Sequence, residues 1–168
     1  MDDFYAFFFW FLFYSLIGWF IEGFFNLFTK GTFIKNNFLR YPIKPMYGIS
    51  SALIIFIKPL IPLNLFLFIA FVLPTFIEYM TAYLLFHFFC LRYWDYSQCA
   101  CHISGYICLR FSIYWFLLSL LLVYIIHPYL APLYDQMGYF WLFMFPICLF
   151  IFVLDTGLTF YQKRHSML

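Results

Sequence analysis

From Phe4 to Ile21 the chain carries no charged side chain, and its apolar character continues past Glu22 to Phe28. At ~1.5 Å of rise per residue, a helix of that length crosses the ~30 Å hydrocarbon core of a bilayer. The remainder of the chain is built from the same material: 67% of its 168 residues are hydrophobic, 29% aromatic and only 10% charged. That is too little charge to keep a surface of this size solvated in water. Lipid offers the backbone no hydrogen-bond partner, so each crossing segment has to pair its own peptide groups. The fold class expected is therefore all-α, a polytopic transmembrane helical bundle.

Five helices are expected, over residues of about 4–28, 44–61, 63–91, 106–126 and 139–160, forming a single integral membrane domain over 1–168. No low-complexity linker or repeat divides the chain. Met1-Asp2-Asp3 lacks the positive start of a signal peptide, and no small-residue cleavage site follows, so the first segment is read as a retained helix. His127-Pro128 and Pro132 are expected to end the fourth helix. The second segment, Met46 to Ile57, is short, and its status as a crossing or a re-entrant loop is decided by charge. With five crossings, Lys30, Lys35, Arg40, Lys44, Arg92, Arg110, Lys163 and Arg164 share one side and only Lys58 lies opposite. With four, the split becomes five against four. The positive-inside rule favours the first arrangement, with the amino terminus outside and the carboxyl terminus cytoplasmic. The same placement, basic residues beside apolar runs, argues against a nucleic-acid footprint and for the lipid bilayer as the chain's principal partner.

Three carboxylates lie in or beside apolar segments: Glu22, Glu78 and Asp155. A carboxylate at mid-bilayer costs ~2.5–3.5 kcal/mol on insertion scales, so it usually has a task or a partner. Glu78, near the middle of the third segment, is the strongest candidate for a proton or cation site or an anchor for a cationic solute group. The alternative is a structural lock, hydrogen-bonded to Tyr or Ser of a neighbouring helix. Glu22 and Asp155 lie nearer the cytoplasmic ends, where the structural reading is favoured. His87 and His127 are candidates for a proton path with Glu78, or for simple interfacial hydrogen bonding.

Arg92-Tyr93-Trp94-Asp95-Tyr96-Ser97 closes the third helix with interfacial aromatic and charged groups, and Asp95 or Ser97 is suited to cap a short helix entering the loop. Cys99-Ala100-Cys101-His102 carries ligand types that suit a metal. No second Cys or His pair stands at zinc-ribbon spacing, so reduced cytosolic thiols are the expectation, with no metal and no cofactor. The five cysteines are odd in number and do not form a disulfide framework. A phosphate loop with GK[ST] is missing, as are HExxH and G-x-S-x-G, so the chain contains no recognisable ATPase or hydrolase motif.

The chain carries Tyr14-Ser15-Leu16-Ile17-Gly18-Trp19 with Glu22, then Phe38-Leu39-Arg40-Tyr41-Pro42 and Pro45-Met46-Tyr47-Gly48. Glu78-Tyr79, Trp94-Asp95-Tyr96-Ser97, Gly105-Tyr106-Ile107-Cys108-Leu109, Trp115 and His127-Pro128 follow. In this order these segments resemble the bacterial membrane-protein family known as putative ABC-transporter type IV. The resemblance spans roughly Tyr14 to Pro128, and Trp-Asp-Tyr-Ser is its most specific piece. It implies a small polytopic protein of the bacterial inner membrane, with Glu22, Tyr47, Glu78, Trp94, Asp95 and Gly105 as a shared polar and aromatic core. The chain departs from the pattern at Asn37 and Tyr41, where Gly is favoured, near His102, where Asn is favoured, and at Tyr106, where Arg is.

The leading functional expectation is a permease-like subunit for a small solute, with Glu22 and Glu78 supplying negative charge between helices. If it works in an ABC system, a separate ATPase subunit has to join it, and its small size makes a homo-oligomer plausible. The alternatives are a membrane-embedded enzyme or accessory factor acting on lipid or envelope substrates, and a structural bundle whose buried carboxylates fix packing.

Overall fold

The computed structural model describes residues 3–33 and 37–165; Lys35, which enters the charge balance above, lies outside them, as does Asp2. The chain is nearly all α-helical. Helix α1 runs Asp3–Lys30, α2 Pro45–Ile57 and α3 Leu63–Phe89. Two short strands follow, β1 (His102–Ile103) and β2 (Ile107–Cys108), then α4 (Leu109–Leu121) and α5 (His127–His165). Among the described residues, three helical stretches are long and apolar enough to cross a membrane, Asp3–Lys30, Leu63–Phe89 and Leu109–His165, with a shorter apolar helix over Pro45–Leu60.

Local chemistry explains most boundaries. Pro45 opens α2, where its missing N–H is no loss. The helix tightens into a 3₁₀ turn over Lys58–Leu60, which contains Pro59, before Pro62 leads into α3. Helix α3 stops at Cys90, in the left-handed conformation (φ 51°). Its N–H and that of Leu91 return to the carbonyls of Phe86 and Leu85. The strands form an antiparallel hairpin, with His102 opposite Cys108 and Ile103 opposite Ile107. Ser104 and Gly105 both have positive φ, and the Tyr106 N–H bonds back to Ile103, as a tight hairpin turn demands.

The expected stop at His127-Pro128 and Pro132 is corrected. A π-helical turn over Leu122–Ile126 joins α4 to α5, and the helix runs on through all three residues. The wider turn re-pairs the backbone just where Pro128 lacks a donor: the N–H of His127 reaches back five residues to Leu122. The interruption falls instead at Gly138, whose φ of 27° and ψ of −113° are not helical. An unbroken 57-residue helix would measure ~86 Å, far more than one crossing. The interruption leaves Tyr139 to His165 as a segment of ~40 Å.

Contacts gather the chain into two compact units, Met1–Gly48 with Tyr134–Leu168, and Ile49–Leu133. In the first, aromatic rings join α1 to the last part of α5. Tyr5 meets Phe145 (ring centroids 4.7 Å apart), Phe8 meets Phe145 and Phe152, and Phe11 meets Phe152 (5.3 Å). Residue numbers climb together, so these two helical segments run parallel. The start of α2 approaches α1 closely because both surfaces are bare. A Cβ at Gly18 would collide with the Tyr47 ring, and one at Gly48 with Ser15 Oγ and the Phe11 carbonyl. In the second unit, Ile54, Phe66, Ala70 and Val123 form the buried core, with Leu73, Phe116 and Leu120 packed against it.

Candidate functional site

Glu78 lies in the middle of α3 and is only 2% exposed. Its carboxylate is held from two directions. Tyr96 O–H donates to Oε1 at 3.1 Å, and Trp115 Nε1–H, from α4, donates to Oε2 at 2.9 Å. Tyr96 is steadied by stacking on Phe111, centroids 4.5 Å apart. A buried carboxylate that accepts such bonds recovers part of the solvation it loses on leaving water. The arrangement also ties one carboxyl group to the loop that follows α3 and to the next helix.

The residues around Tyr96 build the loop that presents it. Trp94 Nε1–H donates to the Tyr106 carbonyl at 2.9 Å. Asp95 Oδ1 accepts the Ser97 N–H at 2.9 Å, and Oδ2 pairs with Arg92 at 3.3 Å. The Tyr96 N–H bonds to the Gly105 carbonyl. Gly105 is required twice over: its φ is +70°, and a Cβ there would lie 2.7 Å from Asp95 Oδ1. Arg92 spreads over the rings of Phe86 and Tyr106. Trp94 and Asp95 thus shape the loop, while Tyr96 reaches the carboxylate. The expectation that Asp95 or Ser97 caps a helix is corrected, since the Asp95 bond closes a turn with no helix behind it.

Electrostatics in the loop follow from the same bonds. The Ser97 N–H, then its hydroxyl and the Arg92 charge, hold the Asp95 carboxyl below the usual range. Burial pushes the Tyr93 phenol up. Burial also raises the Cys99 thiol, with the Cys108 thiol beside it adding to the effect. Cys101 is exposed, and His102 Nδ1 accepts the Gly105 N–H at 3.3 Å. Among the described residues, no three His, Cys, Asp or Glu side chains converge as metal ligands do.

The other carboxylates are bound differently. Glu22 Oε2 lies 2.9 Å from Lys44 Nζ, and the Lys44 N–H donates to the Ser15 carbonyl. This joins the loop before α2 to the α1 surface on which Tyr47 packs. Asp155, 2% exposed, accepts the backbone N–H groups of Arg40 and Tyr41 at 3.2–3.3 Å and faces the Thr159 hydroxyl at 3.4 Å. His87 stacks on Tyr83, and His127 opens α5 directly after the π turn. Reading residues one at a time missed Trp115 and Tyr96 as ligands of Glu78. The signal available was chemical: an indole N–H inside an apolar helix needs an acceptor.

Neither a curated protein nor a solved structure matches this chain. A protein-family model, described as "Putative ABC-transporter type IV", matches residues 9–160 and so extends past Pro128 through most of α5. Covering nearly all of the helical chain that carries Glu22, Tyr47, Glu78, Trp94, Asp95, Trp115 and Asp155, that match makes this chain a member of the putative ABC-transporter type IV family.

Proposed function

We propose that this chain is a permease-like subunit of a membrane transporter, handling a small solute at a site that includes Glu78. The observation that carries the reading is the bond from Tyr96 to a buried carboxylate in mid-helix. Any movement of the 92–106 loop alters how Glu78 is held, and any change of charge on Glu78 is felt in the loop. A subunit that converts a cytoplasmic event into a change inside the bilayer needs such a link. The family's description supports transport. With no GK[ST] phosphate loop in the chain, ATP hydrolysis would come from a separate ATPase subunit.

The proposed topology is five crossings in the bacterial inner membrane, amino terminus outside and carboxyl terminus in the cytoplasm. Parallel packing of α1 with the last part of α5 supports it. If α2 did not cross, the first and last crossings would be antiparallel. The charge balance gives the same parity. On this topology the loop carrying Trp94 to Ser97 faces the cytoplasm, where a partner ATPase would dock.

The test is uptake or export of a panel of small solutes in cells lacking the protein, complemented with wild type or Glu78→Gln. A solute whose flux requires the wild type and is lost with Glu78→Gln supports the reading. Flux that Glu78→Gln leaves unchanged counts against a role for the carboxylate. Accessibility tags finding both termini on one side would overturn the topology.

A further inference from the structure

The basic end of the first unit has a feature that helix crossing alone does not require. Asp155 accepts the backbone N–H groups of Arg40 and Tyr41. It therefore anchors the loop without using the Arg40 guanidinium, and Arg40 remains exposed. Phe38 meets Phe160 with ring centroids 5.6 Å apart, seating the same loop along the last turns of α5. One turn beyond Phe160 stand Lys163 and Arg164. Among the described residues, neither Arg40 nor Arg164 forms an ion pair with a carboxylate. In sequence, Tyr41 (51% exposed) follows Arg40, and Tyr161 (65% exposed) shortly precedes Lys163 and Arg164. Cationic groups next to amphipathic aromatic rings at the end of an apolar helix match the chemistry of a phospholipid headgroup and the acyl boundary beneath it.

We infer that Arg40, Lys163 and Arg164, with Tyr41 and Tyr161, form a binding surface for the phosphate headgroup of an anionic phospholipid. The buried Asp155 is its positioning residue. Fixing the Arg40 backbone reduces the ordering cost of engaging a lipid phosphate, to which guanidinium is well suited as a forked donor. Because Asp155 bonds to backbone and not to the guanidinium, the positive charge of the loop stays available to the lipid. The inference depends on the membrane reading and is independent of what the protein transports.

The experiment uses the full chain purified in mild detergent, with lipid retention measured by native mass spectrometry after addition of phosphatidylglycerol or phosphatidylcholine. Wild type should retain phosphatidylglycerol several-fold over phosphatidylcholine. Arg40→Gln with Arg164→Gln should abolish that preference, since each surface cation contributes roughly 1 kcal/mol, or about fivefold. Arg40→Lys with Arg164→Lys should retain most of it, which separates loss of charge from misfolding. Equal retention of the two lipids by wild type would overturn the inference. So would an undiminished preference in the glutamine variant, or full displacement of the lipid by equimolar inorganic phosphate.

Discussion

Tyr96 donates its hydroxyl proton to Glu78 across eighteen residues of sequence, a 3.1 Å bond that joins a loop to the centre of an apolar helix. The second oxygen of Glu78 accepts from Trp115, so one carboxylate organises the loop, α3 and α4 together. Replacing it tests both its structural and its functional roles. Glu78→Leu takes this acceptor away from a partly buried indole N–H and a partly buried phenol O–H, at ~1–3 kcal/mol each. Thermal unfolding in detergent should show a loss of about 2–5 kcal/mol. Glu78→Gln can turn its carbonyl oxygen to Trp115 and its amide to Tyr96, and should lose only about 1 kcal/mol while abolishing flux. A Glu78→Leu protein as stable as wild type would mean that the two donors are not held by the carboxylate.

Tyr96→Phe removes the donor while keeping the ring that stacks on Phe111. Its expected cost is ~1.5–3 kcal/mol, the range for a hydrogen bond to a charged group. Trp115→Phe should cost a similar amount. Because both act on one acceptor, the double variant should depart from additivity by ~0.5–3 kcal/mol. Simple additivity in a double-mutant cycle would show that the two bonds are independent.

How much of this was legible beforehand depends on which force sets each feature. The apolar segments announce themselves, because lipid demands an uninterrupted run and Phe4 to Ile21 supplies one. Glu78 stood out for the complementary reason, as a charge placed where charge is expensive. The continuous helix through His127-Pro128 did not, because a π turn repairs the backbone in a way that residue identity does not reveal. The particular partners of Glu78 were less legible: a Tyr or Ser was expected from a neighbouring helix, and the Tyr found comes from a loop. Tyr96 reaches it only because Trp94, Asp95 and Gly105 fold the loop back, a long-range consequence of several weak local bonds. Asp155 was visible as a carboxylate, but its attachment to two backbone N–H groups leaves no side-chain pattern to read.

Gly105→Ala should damage that loop more than a positive φ alone would. Left-handed backbone costs a non-glycine residue ~1–3 kcal/mol, and here the new methyl also crowds Asp95 Oδ1. Gly31 is the control, with φ +72° and open space around it. Limited proteolysis between residues 92 and 106 should accelerate in Gly105→Ala, whereas Gly31→Ala should leave cleavage there unchanged. Equal behaviour of the two variants would remove Asp95 from the explanation.

The Asp95 turn should respond to acid in one direction only. Its carboxyl is held below the usual range by the Ser97 N–H. A depressed folded-state value means its contribution is complete above the unfolded value of ~3.9, and is lost as pH falls through the folded one. A fluorotryptophan probe at Trp94 should therefore be constant from pH 8 to 5 and shift only below about pH 4. Asp95→Asn should abolish the shift. A transition at neutral pH, or one that survives in Asp95→Asn, would assign the titration to another group.

Asp155 makes the sharpest prediction for the first unit, because its acceptors serve two identified donors. In Asp155→Ala the N–H groups of Arg40 and Tyr41 lose their partner, and their hydrogen exchange should quicken by about tenfold or more, equivalent to ~1.4 kcal/mol of lost protection. Asp155→Asn keeps one oxygen and should fall between the two. Amides inside α1 should be unaffected, since the loop and not the helix depends on this bond. Exchange at residues 40 and 41 that does not change in Asp155→Ala would show that the loop is held by the Phe38–Phe160 contact alone.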